Sequence, residues 1–233
     1  MKKYSYIDFL AQCGVKSAHP GGMTCTERIF EQESITADMT ILDVGSGLGE
    51  SANYLAKRFG CCVYAIENHP IMLEKAKQRM KETEKRVMLK EASIEGLPFE
   101  NGFFDYVLSE SVLMFASVKK ALTECYRVLK DSGVIILNEM TLLQPFPENE
   151  KRELMSFYGF TECYEINQWK NQLHQVGFTK IDIVSVPLEQ KQANQIDLSL
   201  ELDLELLDML DEHEHILKKF DGKIGNLILR CEK

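Results

Sequence analysis

The stretch Thr40-Ile41-Leu42-Asp43-Val44-Gly45-Ser46-Gly47-Leu48-Gly49-Glu50 constrains the fold more tightly than any other part of the chain. A β-branched and apolar run, suited to a strand, leads into three glycines at alternate positions. Beyond them Ala52, Leu55, Ala56 and Phe59 fall at helical spacing, and the pattern stops at Gly60. Glycine lets a backbone turn sharply and approach a ligand closely, and a helix start offers unpaired N–H groups. The unit reads as strand, ligand-ready turn and helix.

The alternation continues. CVYAIE (62–67) reads as a second strand, and PIMLEKAKQRMKETEK (70–85) as a helix with Pro70 in its first turn. RVMLKEAS (86–93) and FDYVLSES (104–111) read as strands three and four. A helix from Val118 to Leu129 ends at the turn Asp131-Ser132-Gly133, and VIILNEM (134–140) is the fifth strand. WKNQLHQVGF (169–178) is helical, and IDIVSVPL (181–188) and KIGNLILRCEK (223–233) are the last strands. Strands alternating with helices predict an α/β protein with a mostly parallel sheet covered on both faces. Such sheets bind ligands beyond the carboxyl ends of their strands. The chain reads as one domain: 1–39 as a helical N-terminal cover, 40–140 as the ligand-binding core, 141–168 as a lid, and 189–222 as an acidic insertion. Within the insertion, Leu198, Leu202, Leu206, Met209, His213, Leu217 and Phe220 predict a helix.

The 233 residues are 45% apolar and 27% charged, as in an ordinary globular protein. The net charge of −9 argues against broad affinity for nucleic acid or anionic membranes. That argument is weaker for the core, because residues 188–215 hold nine acids against one base, Lys191, and the rest is nearly neutral. No apolar run approaches the ~20 residues of a membrane span, and Met1 to Gly14 do not read as a leader, so a cytoplasmic location is expected. Seven cysteines, irregularly spaced and without a CxxC pair, predict neither a disulfide framework nor a metal site.

The loop spacing is G-x-G-x-G, whereas the dinucleotide pattern is G-x-G-x-x-G. Asp43, just before the loop, would repel a pyrophosphate but suits an ammonium group. Glu67, at the end of the second strand, stands where an acid accepts hydrogen bonds from both ribose hydroxyls. An adenosine ligand with an amino group and no pyrophosphate is indicated, and S-adenosyl-L-methionine has that chemistry.

Four motifs in order carry a family likeness: ILDVGSGLGE, VYAIENHPIMLEKAKQR, EASIEGLPFENGFFDYVLSESV and ECYRVLKDSGVIIL. With them the chain resembles the class I S-adenosylmethionine-dependent methyltransferases, most closely the small-molecule branch of ubiquinone and menaquinone methyltransferases. The resemblance covers roughly residues 40–140. It implies a doubly wound, Rossmann-like, seven-stranded sheet whose last strand is antiparallel, with S-adenosyl-L-homocysteine as product. It also implies that Asp43 lies near the methionine amino group, that Gly45, Ser46, Gly47 and Gly49 form the loop beneath the methionyl moiety, and that Glu67 holds the ribose. Asn68, Met72, Ser93 and Ile94 would surround the adenine, and Ser109 would follow the fourth strand beside the ligand. Ser93 stands where the family often has an acid, and Lys130-Asp131-Ser132-Gly133 departs from the family's Lys-Pro-Gly-Gly.

Three further features admit both a structural and a functional reading. His19-Pro20-Gly21-Gly22-Met23-Thr24 is either a turn feeding a helix capped by a Thr24–Glu27 box, or a cover with Gly22 against the cofactor and His19 as general base. Glu110 is either a solvated loop acid or an acceptor-side catalytic group, and Glu139 has the same two readings. The expected partner is a small-molecule acceptor, with no nucleic acid, no membrane span, and a monomer or weak homodimer. A cofactor-binding module without catalysis and a methyltransferase acting on a macromolecule are the alternatives.

Overall fold

The computed structural model describes residues 4–186 and 203–233. In chain order the elements are α1 (Tyr6–Gln12), α2 (Gly22–Phe30), β1 (Thr40–Val44), α3 (Glu50–Phe59), β2 (Cys62–Glu67), α4 (Pro70–Arg79), β3 (Val87–Glu91), β4 (Phe104–Glu110), α5 (Val118–Val128), β5 (Leu129–Leu142), α6 (Glu148–Tyr158), α7 (Ile166–Val176), β6 (Lys180–Ile183), α8 (Leu204–Lys219) and β7 (Ile224–Glu232). The strands form one sheet in the order β3-β2-β1-β4-β5-β7-β6. β1 to β5 are parallel, and β7 runs antiparallel between β5 and β6. The order reverses between β1 and β4, which opens a crevice at their carboxyl ends.

Period-two alternation divides the core into two layers. Ile41, Val63, Ala65, Leu108 and Ile136 face one way, under α3 and α2. Leu42, Val44, Ile66, Val107, Ile135 and Leu137 face the other, with α5 and Trp169 of α7. Adjacent Cys61 and Cys62 show the same divergence, one buried and one exposed, and all seven cysteines are free thiols. Among the described residues no helix is long and apolar enough to cross a membrane, and no three His, Cys, Asp or Glu side chains gather as a metal site.

Several sequence expectations shift. The helix from Pro70 closes at Arg79, and a short 3-10 turn follows over Met80–Glu82. Asp131-Ser132-Gly133 does not form an isolated turn: Leu129 pairs with Phe104 and Val134 with Tyr106, so 130–133 are a bulge inside β5. Lys233 holds that bulge, its N–H on the Gly133 carbonyl and its Nζ on the Leu129 carbonyl. The Thr24–Glu27 box does not form, because α2 starts at Gly22 after a left-handed Gly21, which puts Thr24 inside the first turn. The capping boxes lie instead at Ser5–Asp8 and Glu165–Gln168. β6 is confined to Lys180–Ile183, and Pro187 and Leu188 of the expected strand lie outside the described residues. The expected helix after Leu198 is observed from Leu204, with Leu206, Met209 and Ile216 buried; residues 198–202 lie outside the described residues.

α1, α6 and α8 meet one another near the end of β2. Tyr6 packs edge-on against Tyr158 of α6, with centroids 4.7 Å apart, and lies 5.5 Å from the His213 ring of α8. Tyr158 Oη and His213 Nδ1 are 3.2 Å apart. Asp8 of α1 reaches His69 at 3.1 Å, just beyond the end of β2, and Lys75 of α4 donates to the last carbonyls of α1.

Candidate active site

The site begins with strand register. Asp43 pairs with Ala65 on β2 and with Leu108 on β4. Glu67 and Glu110 lie two residues beyond those partners, so all three acids project from neighbouring strands onto the α3 face. Asn138, paired with Glu110 in the β4–β5 register, faces the same way. Ser109 and Glu139 have the opposite parity and lie on the other face.

The glycine loop crosses the ends of β1 and β2. Ser46 N–H donates to the Ile66 carbonyl at 2.9 Å, and Gly47 N–H donates to Glu67 Oε2 at 2.9 Å. Gly45, Gly47 and Gly49 all have φ between 54° and 83°, the left-handed region that glycine tolerates. A Cβ on Gly45 would sit 2.5 Å from Val112 Cγ2, and one on Gly49 would sit 2.1 Å from Met80 Cε. At Gly47 nothing lies within 4 Å, so that residue borders open space.

Glu67 is buried at 6% exposure, not a free acid at a strand end. Besides Gly47, the N–H groups of Asn68 and His69 donate to its Oε1 at 2.8 Å. Three backbone donors orient the carboxylate and leave a lone-pair site on Oε2 for a ribose hydroxyl. Asp43 is 3% exposed, and its Oδ2 is buried without a hydrogen-bond partner. Burial, then Glu110 and Glu67, push its carboxyl well above the usual carboxylate range. A buried carboxylate oxygen without a donor, beside two further acids, fits a cationic ligand group. A glycine backbone bordering open space and a ribose-competent acid complete a fit to S-adenosylmethionine.

The other cofactor candidates fare unevenly. Asn68 is exposed at the rim, while Met72 and Ile94 are buried, which gives Met72 a packing role at the start of α4. Ser93 is exposed, and its hydroxyl accepts from Glu95 N–H at 3.2 Å, so part of its accepting capacity is spent on a local turn. Gly22 is left-handed, and a Cβ there would meet nothing within 4 Å. Ser109 needs a correction: it lies inside β4, is fully buried, and donates to Glu139 on the face away from Asp43.

Glu110 and His19 also depart from the sequence reading. The Glu110 side chain is 7% exposed. Its Oε1 accepts from Thr26 Oγ1 at 2.7 Å, and its Oε2 accepts from Ser51 Oγ at 2.6 Å. It therefore clamps α2 to α3 rather than facing an acceptor as a solvated acid. Asn138 Nδ2 donates to the Pro20 carbonyl at 3.1 Å, which fixes its amide orientation, and it also lies 3.2 Å from His19 Nδ1. His19 Nδ1 also lies 3.5 Å from Glu110 Oε1, and its Nε2 lies 3.5 Å from Thr26 Oγ1. Both ring nitrogens face partners within the chain, and neither is directed to open space.

Glu139 Oε1 accepts from the N–H groups of Val112 and Leu113, each at 3.1 Å, and from Ser109 Oγ at 3.2 Å. Its Oε2 is buried and unpartnered, and burial pushes the carboxyl up to about 7. Sequence reasoning missed Thr26, Ser51 and Asn138. Asn138 alone carried a signal, as a polar residue in the apolar run VIILNEM.

The family model for a methyltransferase domain matches residues 42–137. A Bacillus subtilis (strain 168) protein, the uncharacterized methyltransferase YodH, is 36% identical over 231 residues, covering 98% of this chain and 99% of that one. The sarcosine/dimethylglycine N-methyltransferase of Halorhodospira halochloris is 29% identical over 147 residues, 62% of this chain and 53% of that enzyme. Haemonchus contortus phosphoethanolamine N-methyltransferase 2, solved in complex with S-adenosyl-L-methionine, matches the fold with a TM-score of 0.81 at 19% identity. That match covers 99% of this chain, which spans only 58% of the nematode protein. Likeness along the full length to a methyltransferase, on a sheet whose switch point presents Asp43, Glu67 and the glycine loop, places this chain in the S-adenosylmethionine-dependent methyltransferase family.

Proposed function

We propose that this enzyme methylates a small-molecule acceptor, and that residues 4–30 and α6 together with α8 form the wall of its acceptor pocket. The observation that carries the reading is the cover. Tyr6, Phe157 and Tyr158 are each at most 8% exposed, so the helices over the crevice pack as a closed layer. A small molecule fits beneath such a layer, whereas a polymer would have to displace it. The relatives named for sarcosine, dimethylglycine and phosphoethanolamine support the same substrate size.

Bound in the crevice, S-adenosylmethionine supplies an electrophilic methyl group on a sulfonium. Asp43 holds the α-ammonium, Glu67 the ribose hydroxyls, and the Gly45–Gly49 backbone passes beneath the methionyl chain. Ile94 and Met72 pack toward the adenine, with Asn68 and Ser93 at its edge and Gly22 above the methionyl end. Glu110 acts as a positioning residue, because Thr26 and Ser51 register the His19–Gly22 turn against the glycine loop. Glu110 and His19 are both engaged within the chain, so catalysis rests on proximity and in-line alignment of an acceptor that brings its own lone pair.

Incubation with methyl-labelled cofactor and a cell extract, followed by mass spectrometry of separated fractions, tests the reading. Label is expected in a low-molecular-mass product. Label confined to protein or nucleic acid would overturn the substrate class, and binding without any labelled product would favour a non-catalytic module.

A further inference from the structure

Asp43 lies at the centre of a one-signed cluster. The titratable groups that act on it are Glu110 from β4 and Glu67 from β2, and the Ala52 N–H of α3 supplies a hydrogen bond. Behind Glu110 stand the hydroxyls of Thr26 and Ser51 and the imidazole of His19. His19 Nδ1 lies 3.2 Å from Asn138 Nδ2 and 3.5 Å from Glu110 Oε1, on the side of Glu110. Arg28 of α2 acts on the Cys25 thiol and is not among the groups acting on Asp43. Glu67 is held by backbone N–H groups and Glu110 by hydroxyls. Of these three acids, Asp43 alone has a buried oxygen, Oδ2, with no donor. Ionising a carboxyl there, buried beside two acids and with no cation among the groups acting on it, is costly.

We propose that Asp43 carries a proton in the ligand-free protein and gives it up to solvent when the α-ammonium of S-adenosylmethionine takes its place beside the carboxylate. Cofactor binding is then a proton-for-cation exchange. The O–H bond of the neutral acid breaks, its proton goes to solvent, its electron pair stays on the carboxylate, and nothing is oxidised or reduced. The inference rests on the cofactor-site reading under Proposed function. The burial and neighbouring charge that raise the Asp43 carboxyl act in the same sense.

Titration calorimetry of the full chain with S-adenosylmethionine, in phosphate and in Tris at pH 7, tests it. Tris takes up a proton with release of heat, so the observed enthalpy is expected to be more exothermic in Tris. Affinity is expected to rise by up to about tenfold per pH unit on the acidic side and then to level off. 5′-Methylthioadenosine, which lacks the ammonium, should give the same heat in both buffers. In Asp43→Asn the buffer difference should vanish, although binding is weaker. If circular dichroism shows that variant unfolded, Glu110→Gln serves instead: with one like charge removed, the pH-dependent limb should move to lower pH. The exchange is overturned if S-adenosylmethionine binds with buffer-independent heat and pH-flat affinity. It is equally overturned if Asp43→Asn keeps the wild-type difference, if Glu110→Gln leaves the limb in place, or if 5′-methylthioadenosine releases a proton too. Absence of S-adenosylmethionine binding at every pH would sink the site reading instead.

Discussion

Asp43 and Glu139 are both acids buried at 3% exposure or less, each with one oxygen lacking a partner, on opposite faces of one sheet. The chain surrounds them differently. Glu139 draws three donors from the end of β4 and the segment that follows it, and its carboxylate organises Val112 and Leu113. Asp43 is surrounded by acids and has one backbone donor. A buried acid that supplies its own donors is a structural fixture. A buried acid facing other acids has an oxygen its own chain does not answer, which the proposed ammonium contact would meet. Burial alone would have scored the two alike.

The largest expected effect falls on the ligand-binding face. Asp43→Ala should weaken S-adenosylmethionine binding by about 1,000-fold, near 4 kcal/mol, and Glu67→Ala should also weaken it strongly, both read by calorimetry. Near-normal affinity in both would erase the contrast with Glu139.

Next comes the pH dependence of stability on the other face. Glu139 sits at about 7 in the folded chain against an ordinary 4.5, so the native state holds its proton more tightly. Its contribution is complete below pH 4.5 and is lost as pH rises through 7, by at most about 3 kcal/mol. Urea unfolding between pH 5 and 8 should show this decline. Asp43 acts in the same sense, so Glu139→Gln isolates the Glu139 share, and its decline should be shallower. A wild-type stability that climbs over that range would contradict the assignment.

Gly45 and Gly47 sharpen the comparison at about 2 and 1 kcal/mol respectively. Gly45→Ala drives a methyl into Val112, whose N–H Glu139 holds, and should lower the melting temperature more. Gly47→Ala meets open space and carries only the left-handed backbone strain, so it should melt closer to the parent than Gly45→Ala while losing cofactor affinity. The smallest effect, about 1 kcal/mol each, is expected for Thr26→Ala and Ser51→Ala, which break the hydroxyl contacts of Glu110. Thermal melts of the two single variants and the double would show whether the losses couple.

Periodicity in the chain was enough to read β1, α3 and β2, because strands, helix stops and glycine turns are written locally. The positions of Asp43 and Glu67 were legible for the same reason: each stands at a strand end next to a turn. The roles of Glu110, His19 and Ser109 were not, since each depends on a partner far along the chain. Glu110 meets Ser51 across 59 positions and Thr26 across 84, and His19 meets Asn138 across 119. Strand register supplies what local pattern lacks. Once β4 is paired with β5, Glu110 must face Asn138, and Ser109 must turn to the other side. The Thr24 capping box failed for a related reason. A left-handed glycine pair started α2 three residues earlier than side-chain capping rules expected.

Tyr4 Oη donates to Asp203 Oδ2 across 199 positions, joining the segment before α1 to the first cap of α8. Contacts of such sequence separation form late, after loop closure has been offset by other structure. During synthesis, β1 to β5 and their helices emerge well before Asp203. The crevice with its glycine loop can thus take shape while the roof lacks its final helix. Cofactor present in the cell would meet the nascent chain in that interval, before α8 packs on α1 and α6.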